Sequence, residues 1–361
     1  MTTTLMFFAG LAGLVIGASL LVRGASALAL RLGISPLVVG LTVVAFGTSA
    51  PEMAVTTSAA LAGQADLAVG NVVGSNIFNV LFILGVAALI TPLTVHRQVI
   101  RQEAPIMVGC AALLVALSQD GSIGWVDGAL LLGLLLAYTV FLVLQSRAEE
   151  QRGNAQSDAD LPQSARSGQW DSSVPAQLAL VAVGLVLLVA GSDAMVSAAV
   201  VMARALGMSE AVIGLTIVAA GTSLPEVAAS IAASFKGERD MAIGNVVGSC
   251  VFNILGVVGL GGLVASLGSA DGLTVTQHIL RVDLWVMLAT TLACLPVFIS
   301  GRTIERWEAA LFLGYYVAYT VYLVMASQSH GGTGQFGDVI VSVVMPLTIV
   351  ALTIAMLRQP R

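Results

Sequence analysis

Apolar residues dominate the chain in long runs, each broken off by charges or turn-forming residues. A helix needs about 20 predominantly apolar residues to cross the hydrocarbon core of a bilayer. Eleven runs are candidates, with boundaries soft by several residues, near 5–30, 36–61, 67–91, 104–118, 124–145, 177–203, 210–235, 241–267, 282–300, 306–326 and 338–357. Two of them, 5–30 and 177–203, are longer than a perpendicular crossing requires and are expected to tilt. The pattern predicts an all-α integral membrane protein.

Composition agrees. Of 361 residues 57% are hydrophobic and 10% charged, against about a quarter charged in soluble globular domains. This excludes an ordinary soluble enzyme, and the same apolarity excludes disorder. The net charge of −5 leaves no basic face for nucleic acid. Cys110, Cys250 and Cys294 lie in apolar runs without metal-ligand or disulfide spacing and read as small core residues. The N-terminal Met1-Thr-Thr-Thr-Leu has no basic flank and reads as the start of the first span rather than a cleaved signal.

Basic residues set the expected orientation. With the N-terminus outside, 13 of the 15 Lys and Arg fall on one side and only Arg204 and Arg281 on the other. The crowded side is the cytoplasmic one, which places the C-terminus inside and the protein in the cytoplasmic membrane. Segment 146–176, rich in Gln, Ser and Gly, reads as a cytoplasmic linker. Its Asp158 and Asp160 lack the further positions of an EF-hand loop. No soluble partner is implied.

Shifting the chain by 174 residues aligns it with itself. Residues 40–79, GLTVVAFGTSAPEMAVTTSAALAGQADLAVGNVVGSNIFN, match 214–253, GLTIVAAGTSLPEVAASIAASFKGERDMAIGNVVGSCVFN, at 23 of 40 positions without a gap. The repeat unit holds five spans. An odd number makes the second copy enter the membrane from the opposite face, the inverted arrangement that places transporter sites at the midplane. The expected organisation is a first repeat over 1–145, the linker 146–176, a second repeat over 177–326, and an extra C-terminal helix and tail over 327–361.

Each copy carries Gly-Thr-Ser-x-Pro-Glu inside an apolar span: Gly47, Thr48, Ser49, Pro51, Glu52, and Gly221, Thr222, Ser223, Pro225, Glu226. Proline lacks an N–H and clashes with the carbonyl four residues earlier, so each span should break and free carbonyls near Ala45–Gly47 and Ala219–Gly221. Broken backbone at that depth survives only where it is buried or lines a cavity. Thr48 and Ser49 lie four and three residues before Glu52 and share its helix face. Glu52 and Glu226 are the only carboxylates expected near mid-membrane, where an ionised group is costly and usually functional. Two carboxylates among neutral oxygens, without nearby His or thiolate ligands, suit a hard cation such as Ca²⁺.

The second element, GNVVGS-x-[IV]-FN, places Gly70 with Gly74 and Gly244 with Gly248 in G-x-x-x-G pairs that admit a close helix. Ser75 with Asn79, and Ser249 with Asn253, stand four apart on one face. They are either further ligands or interhelical hydrogen-bonders. His96, His278 and His330 read as interfacial bystanders, Asp66 and Asp240 as helix caps, and Asp193 has no assigned role.

The twin GTS[A/L]PE segments, each followed by GNVVGS-x-[IV]-FN, resemble the alpha repeats of the calcium/cation antiporter superfamily, the sodium/calcium exchangers, in a branch without a regulatory domain. The resemblance implies two inverted five-helix repeats with broken helices at the midplane, and Ca²⁺ exchanged for a monovalent cation without an enzymatic cofactor. It further implies that Glu52 and Glu226, with the carbonyls of Thr48 and Thr222, hold Ca²⁺. Ala45, Ser49, Ser75, Ala219, Ser223 and Ser249 would serve sodium, and Asn79 and Asn253 match a further ligand position. Well-studied sodium exchangers of the family carry Asp in the second repeat where this chain has Asn253. The difference removes one carboxylate and leaves both Na⁺ and H⁺ open as the counter-ion.

Overall fold

The computed structural model describes residues 2–151, 173–207, 217, 219–268 and 272–327. The eleventh run (338–357), most of the linker with Asp158 and Asp160, His330, and positions 210–216 and 218 of the seventh run lie outside the described residues.

The other apolar runs become helices. They are α1 (Thr2–Leu32), α2 (Pro36–Thr48), α3 (Ala50–Leu61), α4 (Ala65–Ile90), α5 (Val99–Asp120), α6 (Trp125–Gln151), α7 (Val174–Ala205), α8 (Leu224–Phe235), α9 (Arg239–Gly268), α10 (Ile279–Ile299) and α11 (Arg306–Ser327). A short helical turn, Ala219–Gly221, precedes α8. The run expected as one span over 36–61 is two helices bent by 44° at Ser49. α1 has 31 residues and α7 has 32. At about 1.5 Å per residue each exceeds the ~30 Å hydrocarbon core by roughly half. Asp66 and Asp240 sit in first turns, not at the caps, which are Gln64 and Glu238.

α1 and α7 pack backbone to backbone. A Cβ placed on Gly17 would lie 2.8 Å from the Gly184 carbonyl oxygen, and one on Gly184 would lie 2.6 Å from the Leu21 nitrogen. Glycine permits this because lipid supplies no hydrophobic force between helices, and close van der Waals contact must hold them instead. Outward faces keep large apolar side chains exposed, such as Leu136 at 67% and Val186 at 66%. Such surface fits acyl chains rather than water.

Two short antiparallel pairs cap the bundle. β1 (Leu93–Thr94) joins β4 (Thr303–Ile304), and β2 (Ser122–Ile123) joins β3 (Leu273–Thr274). Because β1 precedes α5 and β2 follows it, the two pairs lie at opposite ends of that helix. Exchanging the halves turns β1·β4 into β3·β2 and one end into the other, the relation inverted copies require. The main hydrophobic core draws on both halves, from Val72 and Ile77 to Val247 and Ile254.

Candidate cation site at the crossing of the broken helices

The breaks fall at equivalent serines. Ser49 has φ −79° and ψ 7°, and Ser223 has φ −91° and ψ 9°, both in the sparsely populated bridge region. The prolines that follow occupy the first turn of α3 and of α8, where a missing N–H costs nothing. Glu52 and Glu226 sit in those same first turns, at helix N-termini whose dipoles favour a carboxylate. The expectation of free carbonyls needs correction in part. Ala45 keeps its carbonyl bonded to the Ser49 N–H at 3.0 Å, and the Gly221 carbonyl accepts the Ser192 hydroxyl of α7 at 2.6 Å.

The two breaks are laced together across the repeats. The Ser223 hydroxyl donates to Glu52 Oε1 at 2.8 Å, and the Ser49 hydroxyl donates to Glu226 Oε1 at 3.1 Å. Ser75 also lies 3.5 Å from Glu52 Oε1 and 3.2 Å from the Ser223 hydroxyl. Each carboxylate is therefore held by the serine of the other half, three positions before that half's own glutamate. Both glutamates are fully buried, as are Ala45, Thr48, Ser49, Ser223, Ser249, Asn79 and Asn253. Ser75 is buried as well, and Thr222 is half-buried. Ala219 opens the short turn that leads to the second break.

Two asparagines that sequence reading left unassigned complete the lacing. Asn71 donates to the Glu52 carbonyl at 3.3 Å and to Thr56 at 3.1 Å. Asn245 does the same to the Glu226 carbonyl at 3.3 Å and to Ser230 at 2.9 Å. Their side-chain oxygens face the opposite repeat, Thr48 lying 3.2 Å from Asn245 and Thr222 lying 3.5 Å from Asn71. The sequence signal for them is their identical place, second in each GNVVGS segment, beside glycines that equally suit close packing.

What remains unbonded is informative. Among the described residues Glu52 Oε2, Glu226 Oε2, Ser249 Oγ, Asn253 Oδ1 and both amide atoms of Asn79 are buried without a hydrogen-bond partner. A buried polar atom left unsatisfied costs about 1–3 kcal/mol, so such a cluster calls for a ligand. These oxygens suit a hard cation. Asn253 is aimed by Asn76, whose side-chain oxygen accepts from Asn253 Nδ2 at 3.2 Å while its amide donates to the Cys250 carbonyl at 3.2 Å. The equivalent of Asn76 in the second repeat is Cys250, so Asn79 has no such amide partner. Asn79 and Asn253 each open a π-helical turn, Asn79–Ile83 and Asn253–Val258, a distortion that gathers at functional sites.

Among the described residues four further carboxylates are buried outside this cluster, Glu103, Glu238, Asp283 and Glu308, and the first and third form an equivalent pair. Glu103 accepts from Tyr138 at 2.7 Å, Gln102 at 2.7 Å and Gln98 at 3.0 Å. Its counterpart Asp283 accepts from Tyr319 at 3.0 Å and lies 3.8 Å from His278. Both stand at the starts of α5 and α10 and tie them to α6 and α11. His278 is thus a partner of Asp283, while His96 is exposed.

The family model described as sodium/calcium exchanger protein matches residues 2–144 and 176–325. The chain is 38% identical to the inner membrane protein YrbG of Escherichia coli (strain K12), over 81% of this chain and 88% of that protein. It is 33% identical to the sodium/calcium exchanger MaX1 of Methanosarcina acetivorans, over 88% and 97% of the two chains. The solved structure of the sodium-calcium exchanger NCX_Mj superposes with a TM-score of 0.72 at 29% identity, covering 88% of this chain and 97% of that one. With its doubled motif and crossed glutamates, the chain is a membrane antiporter of the sodium/calcium exchanger family.

Proposed function

We propose that the protein exchanges Ca²⁺ for Na⁺ across the cytoplasmic membrane by alternating access, with the N-terminus outside and the C-terminus in the cytoplasm. The carrying observation is the pair Glu52 and Glu226, each clasped by a serine of the opposite repeat and each with one oxygen unpartnered. Ca²⁺ is the substrate these carboxylates hold, with the Thr48 and Thr222 carbonyls. Ala45, Ser49, Ser75, Ala219, Ser223 and Ser249 line the places for sodium, and Asn79 and Asn253 add amide oxygens. Two bare carboxylates crossing the bilayer interior carry a penalty of several kcal/mol, so an empty site crosses far more slowly than a loaded one. That penalty couples the two fluxes.

The neutral Asn253 supports a second reading, in which the same fold exchanges Ca²⁺ for H⁺ and the glutamates take up protons. A gradient swap in inside-out vesicles separates them. Sodium-gradient uptake of Ca²⁺ at clamped pH is the expected result, with little uptake from a pH gradient in sodium-free medium. The reverse pattern would replace sodium by protons.

Position 253 offers a sharper probe. Asn253→Asp adds a third carboxylate and obliges Asn76 to turn its amide, since two oxygens would otherwise face each other at 3.2 Å. The expected outcome is a steeper sodium dependence, read as a higher Hill coefficient for sodium-driven uptake. An unchanged coefficient would remove Asn253 from the ion path.

A further inference from the structure

At the end of the bundle capped by β1 and β4, a cavity of about 150 Å³ is lined by Arg97, Ile100, Arg101, Ile299 and Arg302. The three arginines come from the start of α5 and from the turn between α10 and β4, some 200 positions apart in sequence. Arg97, Arg101 and Arg302 are exposed, and among the described residues none is in an ion pair. All three belong to the side that the basic-residue count assigns to the cytoplasm. Ile299 at the end of α10 is 48% exposed and adds an apolar flank at the boundary of the span.

Arg302 is in the left-handed region at φ 53°, the one residue other than glycine with positive φ among the described residues. Its carbonyl accepts from the Val95 N–H at 2.7 Å, which fixes the turn against β1. At the opposite end the same turn position is Gly121, at φ 87°, with its carbonyl bonded to the Val275 N–H at 2.8 Å. Glycine adopts this conformation freely and arginine does not. The two ends thus share one backbone design, yet only one carries a side chain there at a steric cost. The counterparts of Arg97 and Arg101 are Gln277 and Arg281, so three converging cations at one end face a single one at the other.

We propose that this cavity binds the phosphate of an anionic phospholipid headgroup in the cytoplasmic leaflet. Three guanidinium groups suit phosphate oxygens, whose bidentate geometry they match. Ile100 and Ile299 meet the glycerol and the upper acyl chain, which free phosphate lacks, and the cavity borders Ile299, the last residue of α10. Basic pockets at this level of membrane proteins recognise anionic headgroups.

The test uses the full chain in phosphatidylcholine nanodiscs with or without phosphatidylglycerol, reading retained lipid by native mass spectrometry and the thermal unfolding midpoint. Wild-type protein should retain phosphatidylglycerol and unfold at a higher temperature with it. At about 1 kcal/mol per basic residue near an anionic surface, each arginine removed should weaken retention about five-fold. Arg302→Gly should do so while unfolding no earlier than wild type in phosphatidylcholine, because it restores the residue the turn prefers. The double variant Arg97→Gln/Arg101→Gln, which leaves the turn untouched, should lose about 25-fold. Equal retention by wild type and both variants would overturn the proposal. Inorganic phosphate that reproduced the whole stabilisation in phosphatidylcholine would overturn the lipid as its source.

Discussion

Glu52→Gln or Glu226→Gln should abolish gradient-driven Ca²⁺ uptake, lowering the initial rate by about 100-fold or more. Glutamine keeps the shape of the side chain and an oxygen that can still accept the Ser223 or Ser49 hydroxyl. What it removes is one of two buried negative charges. At about 4 Å and an effective dielectric near 20, one unit of charge on a partner ion is worth about 4 kcal/mol, and a divalent ion feels more. That is enough to empty the site at any workable Ca²⁺ concentration. ⁴⁵Ca²⁺ uptake into inside-out vesicles measures the loss, with size-exclusion and thermal unfolding of each variant confirming that the fold persists. The two variants should fail alike, because each carboxylate is seated by the other half. Full uptake by one of them would separate the glutamates into unequal roles and end the shared-site reading.

Much of this arrangement was legible in the sequence, for definite physical reasons. Membrane thickness fixes the length of a span, so ten of the eleven runs fall on described helices to within a few residues, the seventh only in its second half. Pro51 and Pro225 each clash with the helical turn before them, and a Gly-Thr-Ser stretch in that turn yields readily, so the breaks at Ser49 and Ser223 could be placed within a turn. The π-helical turns at Asn79 and Asn253 could not, because one extra residue in an all-apolar segment leaves no mark on a hydrophobic pattern. Asn76 and Asn253 meet across 177 positions, and no spacing rule reaches that far. Glu103 was passed over for a different reason. It stands at the boundary of a run, where a carboxylate is expected to be solvated, yet Tyr138 and two glutamines bury it completely. Burial there is decided by the neighbouring helix rather than by the segment's own pattern.

Gly248→Val should prevent the protein from accumulating in folded form, at a cost of more than about 3 kcal/mol, the upper range for overpacking a fitted interior. α9 crosses α2 at Gly244 and Gly248 with the backbones in contact. A Cβ on Gly248 would stand 2.7 Å from both Cα and the carbonyl oxygen of Leu41, and 2.9 Å from Cβ of Ala45. A Cβ on Gly244 would lie 2.7 Å from the Leu37 carbonyl oxygen. Backbone cannot turn aside as a side chain can, so a valine at 248 must push the helices apart. A second change, Ala45→Gly, relieves only the contact at 2.9 Å and should not rescue it; the yield of monodisperse protein and its unfolding midpoint measure both variants. Recovery with Ala45→Gly would show that the side-chain contact, not the backbone, sets the spacing. The consequence reaches the ions as well. Ala45, Thr48 and Ser49 ride on α2 up to its break, while Ser249 and Asn253 follow Gly248 on α9. Any widening of this crossing therefore draws the Thr48 hydroxyl of α2 away from Asn245 of α9, now 3.2 Å apart. Protein that survives the substitution should then lose Ca²⁺ uptake even at temperatures where it remains folded.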